Sequence, residues 1–400
     1  MKILVVHNSY QEPGGEDVVF EQESALLRRR GHEVLAYRRC NTEISPSSLI
    51  GKAALLAASV WSSETRAQVV TLLNHEKPDV VHVHNTFPLI SPSVFEACAE
   101  VRIPVVQTLH NYRLLCPQAN CYRDGAPCED CVTGSLWNAV RQGCYRQSRV
   151  GTAAVAAMLA FNRRRGTWTD LVDRHIALTE FARTKLIQAG LSADKVVVKP
   201  NFVDPDPGMC EHIGEYALFV GRIAKEKGLG TLLDAWHHLG CDLPLWVVGD
   251  GPDRREFEQR AIQQGLPVRF LGHLDRREVF RIIKASRLLL FPSLCYETFG
   301  MGIVEAYACG VPVIASRHGA MQETVRDGIT GLLFQPGNVE DLSEKLRFAL
   351  GHPERLAWMG ENARAEYKRK YTADTNYAQL MDIYAAAMGT PSRVSALVAA

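Results

Sequence analysis

Short segments that are apolar throughout alternate with amphipathic, helix-like segments along nearly the whole of this 400-residue chain. Strands without polar alternation are typical of parallel sheets that helices cover on both faces. The predicted strands form two sets, at 3–7, 33–37, 80–84, 104–109, 175–179 and 196–200, and at 217–220, 245–248, 268–271, 288–292, 311–315 and 331–334. Predicted helices between them include 17–30, 181–189, 231–238, 253–264 and 339–350. The predicted fold class is therefore α/β, with two Rossmann-like doubly wound domains.

The two sets of strands are separated by NFVDPDPG at 201–208, a segment with the composition of a linker,. We predict an N-terminal domain over 1–206, a C-terminal domain over 207–370 and a helix over 371–390 that crosses back to the first domain. Such domains face each other across a cleft, and open parallel sheets bind ligands beyond the carboxyl ends of their strands. Functional residues are therefore expected just after strands.

Charge and hydropathy exclude several classes of protein. Lysine and arginine total 45 and aspartate and glutamate 44, so the net charge is +1 and no nucleic-acid partner is expected,. The apolar run at 3–7 is too short for the core of a signal peptide,. The longest apolar stretch, 150–161, is about half of the roughly 20 residues that span a bilayer,. We therefore expect a cytoplasmic protein.

The most informative motif is FPSLCYETFGMGIVEA at 291–306, where a strand ends and a helix begins near Gly300. Gly300 and Gly302 leave the first backbone amides of this helix open to an anion. Glu297 precedes the helix and Glu305 lies inside it. Because a carboxylate repels phosphate, the two glutamates are better suited to accept hydrogen bonds from sugar or ribose hydroxyls. The alternative is a capped helix with two solvated acids.

A second loop, GRIAKEKG at 221–228, follows the predicted strand 217–220. Arg222 and Lys227 lie five residues apart on it, so both cations can reach one diphosphate. Arginine offers a bidentate fork and lysine a point charge. The alternative is a basic loop that is simply solvated.

Two further loops end strands in the second half of the chain. Gly249 and Asp250 belong to a Gly-Asp-Gly turn, which is ordinary turn chemistry,. His273 and Leu274 follow the strand 268–271 and are placed to contact a nucleotide base through their backbone.

The first domain offers three candidates. Gly14 and Gly15 follow the first strand and open a helix, which makes an approach point for an anion or a sugar,. The Gly-x-Gly-x-x-Gly fingerprint of NAD(P) enzymes does not occur there,. His110 ends the predicted strand 104–109, although a single histidine after a strand is more often structural than catalytic,.

Together these motifs resemble the GT4 family of retaining glycosyltransferases, which have the GT-B fold. The resemblance rests on the Glu-x7-Glu pair of Glu297 and Glu305, on Arg222 with Lys227, on VGDGP at 248–252 and on the early glycine pair. It extends from residue 1 to about residue 384. It implies transfer of a hexose-type sugar from a UDP-, GDP- or ADP-sugar to a glycan or lipid-linked glycan, as in the biosynthesis of O-antigen, capsule or exopolysaccharide.

The resemblance also implies roles for individual residues. Arg222 and Lys227 would hold the diphosphate, Glu305 the ribose, and Glu297 with the backbone of Phe299, Gly300 and Met301 the donor sugar and distal phosphate. Gly14 and Gly15 would approach the same region, and His110 would contact the donor sugar or the reacting centre. Members of this fold need no metal for catalysis.

Two other functions remain open at this point. A nucleotide-sugar 2-epimerase shares the GT-B fold, but it would need acid and base carboxylates in a different pattern. A non-catalytic nucleotide-sugar-binding protein would be expected to lack the lysine or one of the glutamates, and both kinds of residue are present.

The segment 141–174 carries seven arginines against two aspartates and brackets the apolar helix predicted at 150–161. Basic flanks on such a helix suit peripheral contact with an anionic membrane, where a lipid-linked acceptor would be found. The alternative is a buried helix with solvated ends.

Five of the eleven cysteines lie between Cys116 and Cys144, within an insertion at 116–144. Cys128 and Cys131 form a C-x2-C pair, and four thiolates suit tetrahedral zinc or, less well, an iron–sulfur cluster. We predict a structural zinc site of Cys116, Cys128, Cys131 and Cys144; similar glycosyltransferases imply that Cys121 is the spare. The alternative is reduced thiols without a metal.

Overall fold

The structure is a computed structural model that describes residues 1–11, 14–44, 49–209, 214–240 and 243–389. Contacts divide the chain into two compact units. Unit 1 contains Met1–Cys121, Cys128–Pro200 and the chain from Asn376, and unit 2 contains Tyr122–Pro127 and Asn201–Thr375. Near the C-terminus the chain changes unit between Thr375 and Asn376, inside one helix, whereas the predicted boundary lies between 370 and 371.

Fourteen strands lie within the described ranges: β1 Lys2–Ser9, β2 Glu33–Cys40, β3 Val80–Asn85, β4 Val105–Thr108, β5 Tyr122–Arg123, β6 Ala126–Pro127, β7 Arg174–Ala177, β8 Val196–Val198, β9 Tyr216–Val220, β10 Leu245–Val248, β11 Val268–Gly272, β12 Ser286–Phe291, β13 Val313–Ser316 and β14 Gly331–Phe334. The α-helices are α1 Gly15–Arg29, α2 Leu49–Val60, α3 Ser63–Glu76, α4 Ser93–Val101, α5 Trp137–Gln142, α6 Arg149–Arg164, α7 Glu180–Gln188, α8 Leu229–Leu239, α9 Arg254–Gln263, α10 Arg276–Lys284, α11 Met301–Ala308, α12 Gly319–Thr324, α13 Val339–Gly351, α14 Pro353–Lys370 and α15 Ala373–Ala387.

Unit 1 is built on a six-stranded parallel sheet in the order β2-β1-β3-β4-β7-β8. Its central strands are buried along their whole length, as the unbroken apolar pattern predicts,. One core cluster joins Ile3 and Val5 of β1 to Phe20 of α1 and to Leu380 and Tyr384 of α15. The C-terminal part of α15 thus belongs to the core of unit 1.

Unit 2 contains a second six-stranded parallel sheet, in the order β11-β10-β9-β12-β13-β14. Its core joins apolar side chains of β9, β10 and β12 to those of α8, α13 and α14. The strand order reverses between β9 and β12, which is where doubly wound sheets bind their ligands. The hairpin β5–β6 also belongs to this unit.

All twelve predicted strands are present, and their ends differ from the predicted ones by up to three residues. The largest difference is at β2, which continues to Cys40 because it pairs with β1 as far as Ser9. Prediction from apolar runs ends a strand too early where pairing continues through polar residues. The α/β fold class is confirmed. No helix within the described ranges is long and apolar enough to cross a membrane.

Candidate functional site

In unit 2, backbone hydrogen bonds join the loops that follow the three neighbouring strands β9, β10 and β11. Gly221 N donates to Val248 O at 3.0 Å, and Gly249 N donates to Gly272 O at 2.8 Å. Ile223 N donates to the carbonyl oxygen of Asp250 at 2.9 Å. These bonds hold three predicted site loops side by side at the carboxyl edge of the sheet.

Gly228 fixes the loop after β9 against the loop after β12. Its φ of +75° lies in the left-handed region, and a Cβ atom there would be 1.8 Å from the carbonyl oxygen of Pro292,. Leu294 N donates to Glu226 O at 2.8 Å just beyond this contact. The loop that contains Lys227 and the loop that contains Glu297 are therefore packed directly against each other.

The predicted site residues Lys227 and Glu297 form an ion pair, with Nζ 2.6 Å from Oε1. Ser293 Oγ donates to the same carboxylate oxygen at 2.8 Å. Burial by itself would lower the pKa of Lys227, but the negative charge of Glu297, with a contribution from Cys295, raises that pKa above its usual value. Lys227 therefore stays protonated, in position to attract an anion.

Arg222 is exposed and makes no ion pair with any carboxylate in the part of the chain that the structure describes. Gly300, with φ +92°, precedes α11, and Phe299 beside it is buried. The first amides of a helix have no partner within the helix, so they are available to an anion. Arg222, Lys227 and the start of α11 lie on loops that follow the adjacent strands β9 and β12.

Glu305 lies within α11 and is partly exposed. Burial by the surrounding protein raises the pKa of Glu305 to about 7, and the positive charge of Arg276 opposes that shift. Arg276 is itself held by a hydrogen bond from Nη1 to Asp204 O at 2.9 Å. Glu305 is thus a poorly solvated carboxylate, and hydrogen bonds from hydroxyl groups would stabilise its charged form.

The other predicted residues of unit 2 are less distinctive. The carboxylate of Asp250 accepts from Gly251 N at 2.7 Å and from Arg254 Nη1 at 3.1 Å, so it stabilises its own turn. His273 is exposed and Leu274 is partly buried. Both follow β11, next to the loop that contains Gly249.

In unit 1, Gly14 caps α1 and Gly15 begins it. Gly14 N donates to Asp17 Oδ2 at 2.8 Å, and Asp17 Oδ1 lies 2.9 Å from His7 Nε2. Burial would raise the pKa of Asp17, but the bonds from His7 and Gly14 lower it. The start of α1 is thus tied to the end of β1.

His110 lines a cavity of about 40 Å³ in unit 1, together with His84, Asn111 and Arg113. Its Nε2 lies 2.9 Å from Nδ1 of His84, and the two rings stack. Burial and the neighbouring histidine lower the pKa of His110 well below its usual value. His110 is therefore a neutral imidazole beside a cavity that both polar and apolar side chains line.

Sequence reasoning missed the residues that support His110. Glu23 of α1, His82 and His84 of β3, and Lys199 are all buried. The sequence contained a signal for the histidines, because His82-Val83-His84 lies at the carboxyl end of a predicted strand, the position that singled out His110. Nothing in the sequence linked Lys199 to that strand.

The five clustered cysteines all lie in unit 1. A hydrogen bond from Cys121, with backbone donors at residues 118, 119 and 121, outweighs burial and lowers the pKa of Cys116 to about 6. Burial, with the charges of Cys116, Cys128 and Cys144, raises the pKa of Cys131 to about 11. Among the described residues, the one trio with ligand atoms within 4.8 Å of one another is Glu23, His82 and His84. The clustered cysteines thus form no trio of that kind among the described residues.

Two family models match the chain in succession. Glycosyltransferase Family 4 matches residues 13–207, and Glycosyl transferases group 1 matches residues 212–366. The phosphatidyl-myo-inositol mannosyltransferase of Mycobacterium leprae is 26% identical over 98% of this chain and 98% of that protein. D-rhamnosyltransferase WbpZ of Pseudomonas aeruginosa is 33% identical over 48% of this chain, and the match spans about half (50%) of WbpZ.

Solved structures show the same fold. Anabaena Alr3699/HepE in complex with UDP-glucose superposes with a TM-score of 0.68 and 21% identity, over 95% of this chain and 98% of that one. Sucrose-phosphate synthase from Thermosynechococcus elongatus superposes with a TM-score of 0.71 and 18% identity, over 96% of this chain and 98% of that one.

Both matching family models describe glycosyltransferases, which gives the class of protein, and the two doubly wound units have the GT-B fold. The chain belongs to the GT4 family, glycosyl transferases group 1. The family predicted from the motifs is confirmed.

Proposed function

We propose that the protein transfers a hexose-type sugar from a nucleoside-diphosphate sugar to a glycan or lipid-linked glycan, with retention of anomeric configuration. The observation that carries this proposal is the grouping of Arg222, Lys227, the start of α11 and Glu305 around adjacent loops of unit 2. Arg222, Lys227 and the start of α11 suit the diphosphate of such a donor, and Glu305 suits its ribose.

The diphosphate is the leaving group, and its charge grows as the glycosidic bond breaks. Lys227 supplies a point charge, Arg222 a bidentate fork and the first turn of α11 unpaired amides. Donors fixed in advance at a developing charge account for a large share of catalysis in many enzymes. We therefore propose no metal in the catalytic step, since these groups supply what a cation would.

Glu305 is proposed to accept hydrogen bonds from the ribose hydroxyls. Its carboxylate is poorly solvated, so two hydroxyl donors would stabilise it,. Glu297 is proposed to accept from hydroxyls of the donor sugar, with the backbone of Phe299, Gly300 and Met301 beside the distal phosphate. His110 is proposed to accept from a sugar hydroxyl in unit 1.

In the proposed transfer, the bond from the anomeric carbon to the phosphate oxygen breaks while the bond to the acceptor oxygen forms on the same face. The proton of the acceptor hydroxyl passes to the departing phosphate oxygen. No carboxylate is assigned as a covalent nucleophile, because Glu297 is committed to Lys227 and Ser293.

The relatives support the choice of substrates to test first. HepE binds UDP-glucose, which makes UDP-sugars the first donors to try. The name of the mycobacterial relative states a lipid acceptor, phosphatidyl-myo-inositol, and WbpZ is named as a D-rhamnosyltransferase. We infer an acceptor of surface polysaccharide or glycolipid biosynthesis.

A lipid-linked acceptor fits one surface of unit 1. Trp137 is 64% exposed and Val150 is 72% exposed. Exposed arginines flank them at Arg141, Arg146 and Arg149, and no acidic residue lies in 132–150. We name these five residues the α5–α6 corner and propose that it contacts an anionic membrane surface.

The test is a donor screen with purified protein and UDP-, GDP- and ADP-sugars. Transfer or slow hydrolysis of one donor, with release of the nucleoside diphosphate, is the expected result. Epimerised nucleotide sugar would instead identify a 2-epimerase. Tight binding without any turnover, in the presence of a pool of lipid-linked and free glycan acceptors, would identify a binding protein.

A further inference from the structure

A carboxylate is buried directly behind His110 in unit 1. Glu23 of α1 is 2% exposed, and its Oε2 lies 2.8 Å from Nζ of Lys199, which is 1% exposed. Lys199 also donates to Asn376 Oδ1 at 3.3 Å. A buried lysine at this distance requires a negative partner, so Glu23 is ionised.

The second oxygen of Glu23 faces two histidines. Oε1 lies 3.1 Å from Nδ1 of His82 and 3.4 Å from Nε2 of His84. Neither Glu23 Oε1 nor His84 Nε2 makes a hydrogen bond of full geometry among the described residues. The carboxylate oxygen is therefore the charged atom that His84 Nε2 faces.

This contact determines where His84 carries its proton. A lone pair on His84 Nε2 would face and repel the carboxylate oxygen, whereas an N–H there is attracted to it. Burial lowers the pKa of His84 to about 3, so the ring is neutral and has one N–H. With that proton on Nε2, Nδ1 of His84 is an acceptor.

The acceptor on His84 then determines the tautomer of His110. Its Nε2 lies 2.9 Å from His84 Nδ1 and must donate the proton of that bond. A neutral His110 with its proton on Nε2 has an acceptor lone pair on Nδ1. That is the form that accepts a hydrogen bond from a hydroxyl.

We propose that Glu23 is a positioning residue which, through His84, holds His110 as the Nε2–H tautomer and makes Nδ1 its hydrogen-bond acceptor for a sugar hydroxyl. The last clause rests on the proposed function, but the tautomer does not. Glu23 acts at a distance and does not touch substrate.

Glu23, His82 and His84 also have the spacing of a metal site, but their surroundings favour the hydrogen-bonded network. The ammonium of Lys199 already pairs with Glu23. His82 has both nitrogens committed, Nδ1 to Tyr384 Oη and Nε2 to Thr108 Oγ1, each at 2.8 Å. A cation would have to displace these contacts.

The test is a two-bond ¹H–¹⁵N correlation spectrum of ¹⁵N-histidine-labelled protein near neutral pH. Signals of His84 and His110 are assigned from their loss in His84→Gln and His110→Asn. We expect Nε2 protonated and Nδ1 unprotonated in both rings. His175 is an internal reference, because its Nε2 lies 2.8 Å from the carbonyl oxygen of Trp168 and must carry the proton there. An Nδ1–H tautomer of His110 in the unmodified protein would overturn the proposal without any variant.

Glu23→Gln gives the sharper result. Lys199 holds the amide oxygen, so the amide nitrogen faces His84 and donates to Nε2. Both rings should then change to the Nδ1–H form, while His175 stays unchanged. Glu21→Gln, on the same helix at an exposed ion pair with Arg38, is the matched control and should change neither ring. An unchanged His110 tautomer in folded Glu23→Gln contradicts the proposal.

Activity separates this proposal from the proposed function. Glu23→Gln is expected to lower kcat roughly 10-fold to 100-fold, as when a group that orients a functional histidine is lost, with little change in donor KM. If the tautomers change but kcat does not, the role of His110 in transfer is wrong while the positioning by Glu23 stands. Zinc bound at near-unit stoichiometry and lost in Glu23→Gln would replace the network with a metal site.

Discussion

Nζ of Lys227 lies 2.6 Å from Oε1 of Glu297, and the hydroxyl of Ser293 donates to the same oxygen at 2.8 Å. Lysine side chains lose considerable conformational entropy when they are fixed. Because the ion pair fixes Lys227 when the protein folds, this entropy is not lost again when a ligand binds. A diphosphate that approaches Arg222 therefore meets a second cation that is already in place.

Lys227→Ala is expected to lower kcat roughly 10²-fold to 10³-fold, because it removes a fixed charge at the leaving group. It also leaves Glu297 without its counterion, which weakens donor binding. Steady-state kinetics with the donor identified in the screen provide the measurement. Lys225→Ala is the matched control, since Lys225 pairs with Glu256 on the exposed surface. Near-normal turnover of a folded Lys227→Ala protein would contradict the assignment.

Glu305→Gln should stabilise the protein and weaken nucleotide binding. In the folded protein the pKa of Glu305 is about 7, whereas the usual pKa of a glutamate side chain is 4.5. The folded state therefore binds the proton more tightly, and stability falls as pH rises from 4.5 through 7,. Removing the charge should recover about 1–3 kcal/mol at about pH 8 and nearly nothing at about pH 4.

Thermal unfolding at the two pH values measures the change in stability caused by Glu305→Gln. Calorimetric titration with UDP measures the change in nucleotide binding. The affinity for UDP should fall about tenfold, because the neutral amide is a weaker acceptor for ribose hydroxyls. Equal affinity of both proteins for UDP would argue against the ribose contact. An equal gain in stability at both pH values would argue against the raised pKa.

Gly228→Ala should be strongly destabilising. The new Cβ would overlap the carbonyl oxygen of Pro292, 1.8 Å away, in addition to the strain of φ +75°,. Gly240→Ala is the control, because its φ is +55° but no atom lies within 4 Å of the added Cβ. We expect about 1 kcal/mol lost at Gly240 and several times as much at Gly228, from urea unfolding. Equal losses would show that the contact between the two loops is not tight.

Most of the fold could be predicted because buried parallel strands leave a continuous apolar signature. The twelve strands of the two sheets carry it, from Ile3 at the start of the chain to Phe334 near its end. The elements that were missed lack such a pattern. The hairpin β5–β6 has two residues in each strand, and α5 is six residues long.

The site was predictable where a motif combines loop glycines with charges, as at Arg222, Lys227 and Glu297. Pairings across the fold were not, because they depend on where distant segments meet. Glu23 and Lys199 are 176 positions apart and form a buried ion pair. His82 meets Tyr384 across 302 positions. Sequence spacing carries no information on such contacts, and three-dimensional packing alone reveals them.

The α5–α6 corner is expected to hold the protein on vesicles that contain anionic lipid. The exposed indole of Trp137 can enter the interface while the arginines contact headgroups,. Vesicle flotation with and without anionic lipid measures this. Trp137→Ala combined with Arg141→Glu should abolish flotation, whereas Trp358→Ala, at an exposed tryptophan of unit 2, should not. Unmodified protein that stays unbound at low salt would refute the membrane contact.

Cys116, Cys128, Cys131 and Cys144 are predicted to hold one structural zinc ion. A hydrogen bond from Cys121, together with backbone donors, lowers the pKa of Cys116 and already favours its thiolate, the form that binds zinc,. Binding would draw the sulfurs to about 3.8 Å from one another, the separation in a tetrahedral site with zinc–sulfur bonds of about 2.3 Å. We expect near-unit zinc by elemental analysis and a large drop in melting temperature on chelation.

Single serine substitutions separate metal binding from simple packing. Cys128→Ser should lose most of the zinc and lower the melting temperature even when zinc is added. Cys98→Ser is the control, since Cys98 lies buried in α4 and burial raises the pKa of its thiol to about 12. It should retain the metal. Protein purified without chelators that carries neither zinc nor iron would show that the cysteines are reduced thiols without a metal.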